Sequence, residues 1–185
     1  MIKHAKENHD KIFLAYESKL LESDMEFIEL FNNFVLNEVS NQNDLDDKTR
    51  FMAILATLLG CQGIEEFKVI LKAAYNFGVT PVEMKEIVYQ GAAYLGIGRV
   101  LSFLYVANNF CEENGITLPL EKQATTNFKN RLEKGIQAQV DIFGDDMKDF
   151  YKSGPEESRH INYWLASNCF GDYYTRGGWI INKEK

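Results

Sequence analysis

The chain has 185 residues, of which 45% are hydrophobic and 13% aromatic, so it can bury a substantial apolar core and is not a disordered polypeptide. A formal net charge of −7 and a pI near 5.1 provide no basic surface for phosphates. This balance excludes nucleic-acid binding and attachment to an anionic membrane as expected functions, and indicates ordinary solubility.

The three cysteines, Cys61, Cys111 and Cys169, are widely separated, form no CxxC and have no neighbouring histidine. This pattern argues against a disulfide framework and a zinc site, so we expect a reducing, cytoplasmic location and no metal centre. The first seven residues lack the apolar segment of a signal peptide, and charged residues interrupt the apolar stretches before they reach membrane-spanning length. We therefore expect a protein that is neither exported nor inserted in a membrane.

Helical periodicity dominates the sequence, and no segment alternates as a β-strand does. Residues 24–39 predict an amphipathic helix with Asp24 as its N-cap. The polar stretch that follows predicts a turn and a second N-cap at Asp46 or Asp47. We therefore predict an all-α fold. The apolar positions of the first of these helices are Phe27, Ile28, Phe31, Phe34, Val35 and Val39.

Residues 51–59 are apolar on all sides, which predicts a central helix because a solvent-facing helix needs a polar face. The next helix ends at Gly78, a residue suited to the C′ position. Thr80, Pro81 and Glu83 then start another helix, since Thr80 can cap it, proline loses no hydrogen bond at the first position, and Glu83 completes a capping box. The apolar face of the helix before Gly78 comprises Ile64, Phe67, Ile70, Leu71, Ala74 and Tyr75.

Residues 114–119 contain a glycine and end in a proline, which predicts a linker after a helical run that pauses at residues 94–98. We place a domain boundary there, between residues 1–115 and 116–185. Short helical pieces are expected at residues 147–151 and 156–166. The helical stripe that precedes them consists of Phe128, Leu132, Ile136, Val140 and Phe143.

Side chains capable of chemistry are few. Glu65 and Glu66 could act as general bases, but the helix dipole alone favours carboxylates in a first turn. Cys61 could be activated by a helix N-terminus, or it could be an inert, buried small hydrophobe, which we favour in the absence of a partner histidine. The catalytic residues are therefore unknown, with Glu66, Cys61 and His160 as candidates.

His160 lies one helical turn from Glu156 and Glu157 on one side and from Trp164 on the other. It could be a tuned acid or base, or a half-buried histidine in an ordinary i,i+4 pair, and we favour the second interpretation. The glycine-rich passages 60–63 and 91–98 match neither a P-loop nor a dinucleotide-binding fingerprint, so the sequence predicts no cofactor.

The Gly-Val-Thr-Pro-x-Glu turn at residues 78–83 and the helical blocks on either side of it, about residues 24–115 together, resemble the carboxymuconolactone decarboxylase family. That resemblance implies an all-helical alkylhydroperoxidase D-like fold and a homo-oligomer, typically a trimer or hexamer. The Gly-Val-Thr-Pro-x-Glu turn at residues 78–83 is its most specific part. The other matching blocks are residues 49–55, 67–74, 76–86 and 91–96.

The resemblance also assigns the family's catalytic positions. Counted back from Gly78, the glutamate, the two cysteines of the CxxC and the histidine correspond to Phe51, Gly63, Glu66 and Ile70. Without a dithiol the peroxidase cycle cannot run, and an isoleucine cannot transfer a proton. Of these four residues, Glu66 alone could replace the missing acid or base.

Residues 134–145 and 168–176 resemble the beginning of a second copy, as in two-repeat members of the family. We therefore expect residues 1–115 to form a complete first repeat and residues 116–185 a partial second repeat or an oligomerisation extension. The expectation is a shortened two-repeat relative.

Three functions remain open from the sequence. The first is an enzyme, a lyase by resemblance, acting on a small carboxylated or lactone metabolite. The second is a non-catalytic scaffold or regulatory subunit, which the replaced catalytic positions favour. The third is a helical module that binds a small ligand, since an aromatic-rich helical core can shape an apolar pocket.

Overall fold

The computed structural model describes residues 1–14, 16–42 and 45–178, and within these ranges the chain is all-α, as predicted. The helix Met25–Asn33 continues as one π-helical and one 3-10 turn, at Phe34–Glu38 and Val39–Asn41, and the helix Arg159–Trp164 continues as a long π-helix, Leu165–Tyr174. A 3-10 segment, Asp145–Lys152, follows the helix Arg131–Phe143. The α-helices are α1 (Lys3–Phe13), α2 (Leu20–Ser23), α3 (Met25–Asn33), α4 (Asp47–Gly60), α5 (Ile64–Asn76), α6 (Pro81–Leu95), α7 (Ile97–Glu113), α8 (Arg131–Phe143) and α9 (Arg159–Trp164).

Helices α4 to α7 surround the main hydrophobic core. Helix α4 packs against α5 and α6, and α7 packs against α5 and α6. Phe67 and Phe103 meet edge to face at the centre, with ring centroids 5.0 Å apart. Buried apolar side chains around them include Phe51, Leu55, Leu59, Leu71, Met84 and Val88.

The predicted helix boundaries in this region are confirmed, because they depend on local chemistry. Asp46 rather than Asp47 caps α4, and its carboxylate accepts a hydrogen bond from the Thr49 backbone N–H. The hydroxyl of Thr80 and the carboxylate of Glu83 form the capping box of α6. Gly78 ends the preceding helix with φ +87°, a conformation that favours glycine.

The prediction that residues 51–59 form a fully central helix is wrong on one side. Phe51, Leu55 and Leu59 are buried, but Ala53 and Ala56 are exposed. Alanine is short enough to stand at an exposed position without a large apolar cost. Helix α4 therefore has one buried face and one open apolar face.

The amphipathic helix predicted at residues 24–39 is present, but its apolar face is not buried. Phe27 is 62% exposed, Phe31 and Phe34 are about half exposed, and Leu36 is the residue that the segment buries. Asp24 does not act as a side-chain cap, since its carboxylate instead accepts a hydrogen bond from the Ser23 hydroxyl. Helical periodicity identified the apolar face but not whether another element covers it.

Helix α8 and the π-helix Leu165–Tyr174 pack with their backbones in close contact. A Cβ atom on Gly135 would lie 1.8 Å from the Ala166 carbonyl oxygen, and one on Gly171 would lie 2.1 Å from the Arg131 carbonyl oxygen. The helical stripe predicted here starts too early, because Phe128 precedes α8 and is 84% exposed. Glycine, rather than the apolar stripe, sets the distance between these two helices.

The predicted linker at residues 114–119 follows α7, and no helix spans residues 115–127. Hydrogen bonds nevertheless connect the two sides, since the Gln90 side chain donates to the Tyr173 carbonyl at 2.8 Å. The division at residue 115 and the completeness of the repeats stay predictions. No helix among the described residues is both long and apolar enough to cross a membrane.

Candidate functional site

An apolar groove of about 510 Å³ lies between α4 and α6. The open face of α4 forms one wall and the facing side of α6 forms the other. Its apolar lining consists mainly of Met52, Ala53, Ala56, Leu59, Ile87 and Leu95. A concave, mostly apolar surface with a few polar groups at its edge is typical of a binding site.

Gly91 allows α4 and α6 to approach closely enough to form the base of this groove. A Cβ atom on Gly91 would lie 2.6 Å from a methyl carbon of Leu59 and 3.5 Å from one of Val100. Any larger residue would have to displace the Leu59 side chain. The glycine therefore fixes the spacing of the two walls.

Two carboxylates line the groove, and each has a cationic partner. Burial by itself would raise the pKa of Glu83, but hydrogen bonds from Lys48 and from the Thr80 backbone and hydroxyl outweigh it and hold that pKa below its ordinary value. The Lys48 ammonium lies 2.7 Å from the Glu83 carboxylate. Glu83 is consequently ionised and already bound in the capping box and to Lys48, so it is not available as a free base.

Glu86 is the more deeply buried carboxylate, with 4% of the residue exposed. The guanidinium of Arg176 donates to both of its oxygens, at 2.7 and 2.8 Å, and also lies over the Tyr89 ring. The hydrogen bonds to Glu86 raise the pKa of Arg176 despite its partial burial. A bidentate pair of this kind fastens the segment after the π-helix to α6.

Uncharged polar groups complete the edge of the groove. The Tyr94 hydroxyl is hydrogen-bonded to the Tyr174 hydroxyl, and desolvation raises the pKa of Tyr94 well above its ordinary value. Desolvation also raises the pKa of the neighbouring Cys169 thiol. Gln90 lines the groove with a buried side-chain oxygen that no hydrogen-bond donor reaches among the described residues. At neutral pH the Tyr94 phenol and the Cys169 thiol are therefore protonated.

Comparison with known proteins shows how far this helical region is shared. The sequence profile of the carboxymuconolactone decarboxylase family matches residues 25–109, which contain both walls of the groove. Residues 25–109, somewhat less than half of the chain, therefore match the carboxymuconolactone decarboxylase family.

One curated protein is similar to part of the chain, at low sequence identity. The 4-carboxymuconolactone decarboxylase of Acinetobacter baylyi (strain ATCC 33305 / BD413 / ADP1) is 28% identical over 103 residues, which cover 54% of this chain and 77% of that protein. No solved structure matches the chain.

The positions that the family resemblance assigns to catalysis lie outside the groove. Phe51 and Ile70 are buried in the core formed by α4 to α7. Gly63 is the N-cap of α5, and Glu66 lies in the first turn of that helix. None of Gly63, Glu66 and Ile70 lines the groove between α4 and α6.

Glu66 is an exposed residue, although desolvation of its carboxyl raises the pKa. Its side chain makes no ion pair or hydrogen bond with the described part of the chain. Because solvent reaches the residue, the shift does not imply an enclosed acid or base.

Cys61 and His160 also lie away from the groove. Cys61 is exposed at the C-cap of α4, so neither the predicted helix N-terminus nor burial as a small hydrophobe describes it. The His160 ring contacts the Trp164 ring edge to face, with ring centroids 4.6 Å apart, as expected for residues four positions apart in a helix. The predicted pairing of His160 with Glu156 or Glu157 is absent from the described residues, because α9 begins only at Arg159.

The sequence pattern did not mark Glu86, Gln90 and Tyr94, which line the groove, as a site, nor Arg176, which pairs with Glu86. One signal was available, since residues 51–59 are apolar all round and contain small residues on one side. Within the described ranges, no group of three or more histidine, cysteine or acidic residues is arranged to hold a metal ion.

Proposed function

We propose that this protein is a non-catalytic scaffold of the carboxymuconolactone decarboxylase family that binds an apolar protein segment in the groove between α4 and α6. The observation that carries the proposal is the chemistry of the groove: its walls are aliphatic, and its carboxylates, Glu83 and Glu86, are paired with Lys48 and Arg176. An aliphatic groove favours an apolar occupant through the hydrophobic effect.

The same groove is poorly suited to a carboxylated lactone. No lysine, arginine or histidine is among the described residues that line it, and the two lining charges are negative. A bound carboxylate would lose its hydration without gaining a cation or a set of hydrogen-bond donors. We therefore expect the chain to lack the activity in the name of its Acinetobacter relative.

Catalysis by Glu66 is the alternative. The raised pKa of Glu66 favours it, because a carboxyl group with a higher pKa can exchange protons closer to neutral pH. Among the residues that the structure describes, no cation pairs with Glu66 and the residue is exposed, which weighs against catalysis. A Glu66→Gln variant separates the two functions, since only the catalytic function depends on that carboxyl group.

The first test is turnover of 4-carboxymuconolactone, measured as CO2 release with the Acinetobacter enzyme as the positive control. We expect release no faster than in buffer, and no change on Glu66→Gln. Decarboxylation that Glu66→Gln abolishes would establish the catalytic alternative and end the scaffold proposal.

The second test measures binding in the groove with N-phenyl-1-naphthylamine, an uncharged fluorophore that brightens in apolar surroundings. We expect a saturable signal that Ala56→Asp weakens about tenfold or more, because the new carboxylate would be desolvated by the bound probe. Ala93→Asp is the matched control, since Ala93 is exposed on α6 but does not line the groove. Equal binding by the two variants would contradict the proposal.

We also propose that the scaffold is a cytoplasmic homo-oligomer, as the family resemblance implies. The exposed apolar face of α3 supports this, because contiguous exposed aromatic residues usually mark an interaction surface. Light scattering should give the mass of a trimer or hexamer, and Phe31→Ser should reduce it. A monomeric mass at all concentrations would contradict the assembly.

A further inference from the structure

A second cavity, distinct from the groove, lies between α6 and the segment that follows α7. Its volume is about 220 Å³, so it suits a ligand smaller than those that fill drug-sized sites of roughly 300–1,000 Å³. Residues 119–123 and Arg176 line it opposite α6. The Gly177 backbone N–H donates to the Gln123 carbonyl oxygen at 2.8 Å and so joins these two segments. The residues that α6 contributes are Val82, Lys85, Glu86 and Tyr89.

Lys85 is the unusual residue of this cavity, because it is a buried lysine, with 9% of the residue exposed. Its ammonium group donates a hydrogen bond to the Asn108 side-chain oxygen at 2.8 Å and lies 5.9 Å from the centre of the Tyr89 ring. An ammonium group has three N–H donors, and buried lysines are normally paired with an acid. Within the described ranges Lys85 forms no ion pair, so its charge lacks a counter-charge.

The other charged groups of the cavity do not neutralise Lys85. Arg176 already binds both carboxylate oxygens of Glu86, at 2.7 and 2.8 Å. Lys122 and Glu121 carry opposite charges and are both exposed, so water screens them. With the Glu86–Arg176 pair neutral as a unit, the buried part of the cavity carries a single positive charge.

The remaining lining determines what the body of a ligand must be. Val82, Pro119 and Leu120 contribute aliphatic surface, and Tyr89 contributes an aromatic ring. Apolar walls of this kind favour an apolar molecule through the hydrophobic effect. A ligand that suits both features has one negative charge and a small apolar body, whereas a doubly charged group would lose hydration that one buried cation does not replace.

We propose that this cavity binds a small monocarboxylate with an apolar body, and that the carboxylate accepts a hydrogen bond from the Lys85 ammonium group. This site goes beyond the scaffold function, since its ligand is a small anion rather than a protein segment. The ligand is bound without being converted. It contacts α6 and residues 119–123 together, so its binding stabilises the packing of that segment on the helix.

Benzoate is the probe, because it joins one negative charge to a small apolar ring, and benzamide is its neutral analogue of the same shape. Isothermal titration calorimetry at constant ionic strength measures both affinities for the full chain. We expect one benzoate per chain and binding of benzamide about tenfold weaker or more, because hydrogen bonds between charged groups are the stronger ones. No saturable binding at about 10 mM benzoate overturns the proposal, as do equal affinities for the two probes.

Lys85→Met tests where the anion binds, since methionine keeps an unbranched, flexible side chain and removes the charge. We expect the benzoate affinity to fall about tenfold or more. Lys129→Met is the matched control, because Lys129 is exposed and does not line the cavity, and it should bind benzoate as the unchanged protein does. Equal benzoate affinities for Lys85→Met and Lys129→Met would overturn the assignment. Circular dichroism confirms that each variant retains its helices.

Val82→Glu is a second variant, and it keeps Lys85. Val82 lies three positions before Lys85 on α6, so a glutamate there can pair with the ammonium group, and a carboxylate suits the first turn of a helix. We expect this internal carboxylate to weaken benzoate binding about tenfold or more. Undiminished binding would overturn the role of Lys85.

Two further measurements separate the remaining outcomes. Inorganic phosphate that binds in place of benzoate would overturn the choice of a monocarboxylate. Neither Lys85 nor Val82 lines the groove between α4 and α6, so both variants should bind N-phenyl-1-naphthylamine normally. Loss of benzoate binding with intact naphthylamine binding therefore supports a separate anion site. Joint loss of both in Lys85→Met would overturn the separation of the two sites.

Discussion

The core of α4 to α7 and the pair formed by α8 and the π-helix Leu165–Tyr174 are packed in different ways. In the first region, large apolar side chains such as Phe67 and Phe103 fill the space between helices. In the second, Gly135 and Gly171 bring two backbones together, and the buried side chains of Gln139 and Ser167 have no hydrogen-bond partner among the described residues.

This contrast shows two routes to a helical interface. Side-chain packing contributes through the amount of apolar surface removed from water and tolerates modest changes of shape. Backbone packing removes little side-chain surface and depends on the absence of a Cβ atom at one or two positions. The two regions should therefore differ in which substitutions they tolerate.

The largest expected effect is the loss of the central aromatic pair. Phe67→Ala should lower the free energy of unfolding by about 3–5 kcal/mol, because it removes a fully buried ring and leaves a cavity. Urea denaturation followed by circular dichroism measures the loss. Phe143→Ala in α8 is the control, and its cost should be much smaller because Phe143 is mostly exposed. Equal losses for the two variants would remove the contrast between the regions.

The second effect tests backbone packing. Gly135→Ala should destabilise the protein by about 1–3 kcal/mol or more, because the added methyl group would overlap the Ala166 carbonyl oxygen. Gly98→Ala in α7 is the matched control, since a Cβ atom there meets nothing within 4 Å. It should be neutral or stabilising by up to about 1 kcal/mol. An unchanged free energy of unfolding in Gly135→Ala would show that the two helices separate easily.

The smallest effect concerns the charge at the α6 capping box. Because the pKa of Glu83 is lower in the folded protein than its ordinary value, its contribution to stability is present above the ordinary value and is lost as the pH falls through the lower folded pKa. Glu83→Gln should therefore cost up to about 1 kcal/mol at pH 7 and less in acid. Urea denaturation from pH 7 to pH 3 measures this, and a cost independent of pH would contradict the assignment.

The parts of the fold that were predictable from sequence are those governed by neighbouring residues. The cap at Asp46, the stop at Gly78 and the box formed by Thr80 and Glu83 each involve groups within a few positions of one another. Family resemblance then extended these local features to an all-α fold, which the structure confirms.

The candidate site was less accessible to sequence analysis because its contacts join distant segments. The Glu86–Arg176 pair spans 90 positions, and the Gln90–Tyr173 hydrogen bond spans 83. Periodicity marks which side of a helix is apolar, but whether that side is buried depends on the rest of the chain. The exposed Phe27 on α3 and the open Ala56 on α4 illustrate this limit.

The π-helix gives the second region an unusual sensitivity to chain length. The position of a Cβ atom on Gly135 is surrounded by backbone atoms of both Ala166 and Gly171, which are five residues apart. A π-helix forms its backbone hydrogen bonds between residues five apart, whereas in an α-helix residues three or four apart share a face. The five-residue spacing of Ala166 and Gly171 therefore suits the π-helix, and α-helical winding of the same residues would turn one of the two contacts away from Gly135. In this stretch the number of residues, as much as their identity, is under structural constraint.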